Sequence, residues 1–232
     1  GNQGTYFPKN LIIREKHRGE DANYENNKSS GVGVSFGTNG LMVIEHSSNF
    51  YNFPLTWEDT SGLIDGLTHV AIVYDDLTPS LYINGQYIKT GLTSGKEEIY
   101  GTDANVYAGL SQGDIGRGLY GDYRGGLQEL RFWDDVRTET EIQNNWQQDL
   151  TGDEANLVAY YKFNNLSHAR LLKDYAHGND GIIYGPTIGQ ELIRTLKFNG
   201  DDSHALLDSL TYDSAENDEL TIMTRLKTTK VN

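Results

Sequence analysis

The chain has 232 residues, no cysteine and a formal net charge of −14 at pH 7, which allows one large domain or two small ones and excludes disulfides and thiolate metal sites. The acidic balance repels phosphate backbones, and no Lys/Arg cluster offsets it, so nucleic acid is not an expected partner; no apolar run is long enough for membrane insertion. Fifteen tyrosines and 26 glycines against four prolines point to many strands joined by tight turns.

In chain order, "NLIIREK" (10–16) reads as a strand, followed by the polar loop "HRGEDANYENNKSSG". "VGVSF" (32–36) and "LMVIEH" (41–46) form a hairpin, with Asn39-Gly40 expected to supply the positive φ of a tight turn. "SSNFYNFPLTWEDTSG" (47–62) is aromatic-rich and interrupted by Pro54, which suits a loop better than a central strand. "LTHVAIVYDD" (67–76) reads as an alternating strand. "SLYING" (80–85) turns at Asn84-Gly85 and "QYIKTG" (86–91) returns, with Leu81 and Ile83 on one face and Tyr82 on the other.

"NVYAGLS" (105–111) and "GGLQELRFWDD" (125–135) are further strands, before the one convincing helix. In "RTETEIQNNWQQDL", Thr138 and Glu141 make a capping box, and Ile142, Trp146 and Leu150 fall on one apolar stripe. That spacing makes Trp146 a core anchor rather than a ligand contact. "ANLVAYYKF" (155–163), "DGIIYG" (180–185), "LIRTLKFNG" (192–200), "HALLD" (204–208) and "ELTIMTRLKT" (219–228) return to strand character. About a dozen short strands and one short helix predict an all-β antiparallel sandwich or barrel.

"GLTHVAIVYDDLTPSLYINGQYI", "GGLQELRFWDDVRTETEI", "NLVAYYKFNN" and "TLKFNGDDSHALL" together resemble laminin-G-like domains of the concanavalin A-like lectin/glucanase superfamily. The resemblance implies a concanavalin A-like (jelly-roll) β-sandwich. Its usual order would place 155–228, the early strands, before 5–150. A circular permutation within one domain spanning 1–232 accounts for this order, with 1–154 carrying the late strands and the tail pairing beside residues 5–16. Completion between chains, as a swapped dimer, and a fragment that does not fold alone are the alternatives; a monomer is the expected state.

Enzyme signatures fail on context. "GVSFG" places Ser35 in a G-x-S-x-G pattern, but between strands instead of at a strand-to-helix elbow. "GLTSGK" has the wrong spacing for a phosphate loop, and the six histidines include no H-E-x-x-H. Retaining glucanases of the superfamily carry E-x-D-x-x-E on one strand, which sets two carboxylates on the same face. Here Glu129 stands alone, and Glu216-x-Asp218 lacks the third acid. No catalytic activity is expected.

The resemblance implies a calcium at the sandwich rim, where Asp201 and Asp202, Gln128 and Glu129, and Asp174, Asn179 and Asp180 would converge. Calcium takes six to eight oxygens at flexible geometry, which suits such a set. Gln128 departs from the acidic residue of many relatives, and Asx-turns and strand caps account for the same residues. For sugar binding, aromatic faces stack on pyranose rings. Phe50, Tyr51, Phe53 and Trp57 beside Asn52 and Glu58 form one candidate surface, and Asp114, Arg117, Tyr120 and Tyr123 a second. The competing reading is that these aromatics fold inward. The expected function is a binding module of an extracellular or cell-surface protein, with a glycan as ligand and calcium as helper. Structural or protein–protein adhesion is the alternative, and glycoside hydrolysis a third and less favoured one.

Overall fold

The computed structural model of the chain describes residues 10–14, 29–47, 50–100, 109–113, 120, 123, 125–163, 170–184, 187–188, 196–198, 204–207 and 219–228. The chain opens with β1 (Asn10–Arg14), β2 (Ser29–Phe36), β3 (Gly40–Ser47) and β4 (Phe50–Glu58). Next come β5 (Leu67–Asp75), β6 (Thr78–Ile83), β7 (Gln86–Thr90), β8 (Glu98–Tyr100), β9 (Gly109–Gly113) and β10 (Gly125–Trp133). The helix α1 (Glu139–Asn145) precedes β11 (Leu157–Tyr161), β12 (Leu171–Leu172), β13 (Gly181–Tyr184) and β14 (Thr187–Ile188). The last strands are β15 (Leu196–Phe198), β16 (His204–Leu206) and β17 (Leu220–Thr228).

Two sheets form. One has nine strands in the order β12-β13-β16-β9-β1-β2-β3-β4, with β8 beside β2; the other has eight, β14-β15-β10-β17-β5-β6-β7, with β11 beside β10. Pairing among the described strands is antiparallel except for β8 along β2. The architecture is therefore mostly antiparallel β with one short helix, as a concanavalin A-like sandwich requires.

The expected pairing of the tail with the first strand is not formed. β17 lies in the eight-stranded sheet between β10 and β5, whereas β1 lies in the nine-stranded sheet between β2 and β9. The reason is side-chain demand. Ile222 and Leu226 of β17 point into the main core while Thr221 and Met223 are buried on the other face, so the strand is covered on both sides and takes a central position. β15 likewise adds to β10, and β16 to β9. The main core draws on Ile13, Val34, Ile72 and Phe132 from one part of the chain and on Val158, Leu196 and Ile222 from the other.

Strand β5 also differs from its expected alternation, being buried at every position from Thr68 to Tyr74. Val70, Ile72 and Tyr74 face the main core, while Ala71 and Val73 face a second apolar cluster with Ile142 of α1, Leu150 and Trp133. Helix α1 thus covers a face that would otherwise be wet. Its amino end carries the capping box, with Thr138 Oγ1 accepting from the Glu141 N–H and Glu141 accepting from the Thr138 N–H.

Residues 50–58 are strand, correcting the loop expectation around Pro54. β4 is an edge strand, and Pro54 sits where the β3–β4 register shifts between Val43 and Glu45, so the missing N–H interrupts no ladder. The two glycine turns divide. Asn84 and Gly85 adopt φ of 50° and 78°, which gives the β6–β7 turn its twist. In the β2–β3 turn neither Asn39 nor Gly40 has positive φ. Glycine is needed there for space: a Cβ on Gly37 would lie 2.3 Å from the Tyr120 carbonyl oxygen, which accepts from the Thr38 N–H at 2.7 Å.

Candidate functional site

A pocket opens on the outer face of the eight-stranded sheet, beside the carboxyl end of α1. It holds about 280 Å3 and is lined by Leu67, His69, Asn84, Trp146, Gln147 and Arg225. His69 on β5 lies directly across from Arg225 on β17, which places both side chains on the same outer face. Asn84 comes from the β6–β7 turn; its Oδ1 accepts from the His69 N–H at 2.9 Å, and its own N–H donates to the His69 carbonyl at 2.9 Å.

Trp146 ends the helix and is half-buried, so it is a pocket wall and not the core anchor its spacing predicts. The helix stops after Asn145, so the stripe of Ile142, Trp146 and Leu150 rotates out of register and only Ile142 and Leu150 enter the apolar cluster. The indole rests flush on Gly85, where an added Cβ would lie 2.7 Å from the ring. Its centroid is 6.2 Å from that of the His69 ring, tilted by 51°.

The carbonyls that leave a helix end need donors from elsewhere, and here two arginines supply them. Arg225 Nε donates to the Trp146 carbonyl at 3.0 Å and Nη2 to that of Gln148 at 3.1 Å. Arg131 Nη1 donates to the Asn145 carbonyl at 3.1 Å, and its Nη2 to the Gln148 carbonyl. Arg131 is buried and pairs with Glu129 at 2.9 Å. Glu129 also accepts from the Tyr160 hydroxyl, whose pKa is pushed up by burial and by that bond.

His69 is buried, and neither ring nitrogen has a hydrogen-bond partner among the described residues. Burial, with the Arg131 and Arg225 charges adding to it, pushes its pKa down to about 3. The imidazole is therefore neutral at physiological pH and offers one N–H and one lone pair. An indole face, an amide pair, a guanidinium and this imidazole can stack on a ring and exchange hydrogen bonds with its hydroxyls.

Those residues singled out in the sequence whose side chains are described lie elsewhere. Phe53 and Tyr120 come together over Met42 and Ile44 on the outer face of the nine-stranded sheet, and half-buried Trp57 packs against the main core. Tyr123 is fully buried and donates to the Gly126 carbonyl at 2.7 Å. Phe50 and Tyr51 are placed on β4, but their side chains, like all of Asp114 and Arg117, fall outside the described residues.

For calcium, Asp201 and Asp202 also fall outside the described residues. The others make hydrogen bonds or ion pairs within the fold. Both oxygens of buried Asp174 accept backbone N–H groups, Oδ1 from Tyr160 and Ala176 and Oδ2 from His177 and Asn179, at 2.8–3.1 Å. Asn179 gives its carbonyl to the Tyr161 hydroxyl at 2.8 Å, Asp180 accepts from the Asp174 N–H at 2.9 Å, and Glu129 faces a guanidinium. The Gln128 carbonyl accepts from Thr224 Oγ1 at 2.9 Å. Among the described residues no three His, Asp or Glu side chains are grouped to hold a metal.

Sequence reasoning passes over His69, Arg225, Gln147 and Leu67 as ligand contacts, and reads Asn84 as a turn residue alone. One signal was present: Arg225 is a cation set between the apolar positions Met223 and Leu226 of "ELTIMTRLKT".

The two sheets, the short helix after β10 and the glycine turns define a concanavalin A-like sandwich. Residues 11–143 match the Laminin_G_3 family model, described as the Concanavalin A-like lectin/glucanases superfamily, and the chain belongs to that family. No curated protein matches the chain.

Proposed function

We propose that the chain is a non-catalytic carbohydrate-binding module of an extracellular or surface protein, and that the Trp146 pocket contacts the sugar. One observation carries this reading: a half-exposed indole beside Asn84, Gln147 and the unpartnered imidazole of His69, all in one concavity. Pyranose rings present apolar C–H faces edged by hydroxyls, and this lining complements both. The sequence also lacks the E-x-D-x-x-E segment that sets two carboxylates for hydrolysis on this scaffold. A glycan array probed with wild type and with Trp146→Ala tests the reading. Wild type should bind a restricted set of glycans and the variant should lose at least about tenfold in affinity; unchanged binding by the variant would move the site elsewhere.

A protein ligand is the second reading, favoured by Tyr87 and Leu92, which are exposed on and just beyond the edge strand β7. Retained adhesion to a protein partner with a silent array would support it. We also propose the permuted strand order: β15 and β17, from segments that resemble the opening of the family's pattern, take places beside β10 and β5 of the same chain. A monomeric mass in solution supports this over exchange between chains. Calcium as a helper rests on Asp201 and Asp202, and a rise in melting temperature with calcium over chelator would support it.

A further inference from the structure

We infer that the sugar this pocket takes carries a carboxylate, as a uronic or sialic acid residue does, with the acid group set between the Arg225 guanidinium and the His69 imidazole. The inference deepens the carbohydrate reading and rests on it.

Charge argues first. At −14 the chain as a whole repels anions, yet no carboxylate lines the pocket among the described residues, and Arg225 does. Screening over about 8 Å at physiological ionic strength leaves the local charges to decide. Arg131, beneath the helix end, is matched by Glu129 at 2.9 Å. Arg225 has only a loose match among the described residues, Asp149 at 3.8 Å from Nη1, whose side chain is 76% exposed. An exposed pair at that separation contributes little. The place it holds beside Nη1 can go to a ligand carboxylate.

Hydrogen bonding argues second. Arg225 commits Nε and Nη2 to the carbonyls of Trp146 and Gln148, which fixes the guanidinium plane and leaves Nη1 with the loose Asp149 contact at 3.8 Å. His69 is buried with both nitrogens unpartnered among the described residues, a costly state that a ligand relieves. Its N–H can donate to the carboxylate and its other nitrogen can accept from a neighbouring ring hydroxyl. A neutral hexose would satisfy the imidazole but leave the guanidinium with its loose pair. Volume argues third: about 280 Å3 is just under the usual range for small-molecule sites, enough for one ring and not for a chain of them.

The experiment is a titration followed at the three tryptophan indole N–H signals, with methyl β-D-glucuronide, methyl α-N-acetylneuraminide and methyl β-D-glucoside as probes. One acidic glycoside should shift the Trp146 signal, assigned by its loss in Trp146→Phe, and bind at least about tenfold more tightly than the glucoside. Which acidic glycoside responds separates the uronic from the sialic source. Asp149→Asn, at an exposed position where folding is safe, should tighten the acidic glycoside severalfold and leave the glucoside unchanged. Equal binding of acidic and neutral glycosides, or no response to Asp149→Asn, overturns the inference while the carbohydrate reading stands. No shift of the Trp146 signal with any of the three overturns the inference together with the choice of this pocket.

Discussion

The two faces of strand β5 are built to different rules. Inward, Val70, Ile72 and Tyr74 meet an apolar core supplied by both sheets, where size and shape suffice. Outward, Ala71 and Val73 lie under α1, but His69 lies among two arginines, an asparagine and an indole. A buried apolar side chain stabilises by being hidden from water; a buried charge is tolerated only when its partners are in place. The inner face therefore holds the fold together, and the outer face spends stability on groups that a ligand can use.

The largest effect should come from breaking the outer network. Arg131→Ala removes the partner of buried Glu129 and two donors to the helix end, and should cost about 3–5 kcal/mol in denaturant unfolding. A loss no larger than that of an exposed substitution would show that the network adds little. Truncating the inner face with Ile72→Ala should cost about 3 kcal/mol through lost burial and a residual cavity, with glycan binding unaffected. If binding also falls, the two faces are not independent.

His69 gives a pH-dependent difference between the faces. Its pKa is pushed from 6.5 down to about 3 by burial, then by Arg131 and Arg225, so the unfolded chain takes up the proton first. Its contribution is full above pH 6.5 and is lost as the pH falls from there toward 3, at up to about 1.4 kcal/mol per pH unit. Stability curves of wild type and His69→Gln should converge on acidification; parallel curves would mean that the ring titrates alike in the folded and unfolded chain. The smallest effect is expected at the helix start, where Thr138→Ala removes the cap and should cost about 1 kcal/mol. A loss above about 3 kcal/mol would mean that α1 anchors more than the cluster around Ile142.

Local signals were more legible in the sequence than non-local ones, the Asn39-Gly40 turn excepted. The capping box at Thr138 and Glu141 and the Asn84-Gly85 turn depend on neighbours in the chain, and both form as read. Pro54 was misread because its tolerance depends on β4 lying at an edge, which no local pattern states. The place of β17 depends on burial of both its faces by distant partners. The pocket was least legible: Asn84, Trp146 and Arg225 sit far apart in sequence, and Arg225 acquires its role by closing a helix end contributed by another segment.

The most direct measurement is a crystal structure of the chain with the glycan that binds best on the array. A sugar ring is expected against the Trp146 indole, within hydrogen-bond reach of Asn84, His69 and Arg225. A ring seated instead over Phe53 and Tyr120, or at the sandwich rim with the Trp146 pocket holding only water, would contradict that expectation.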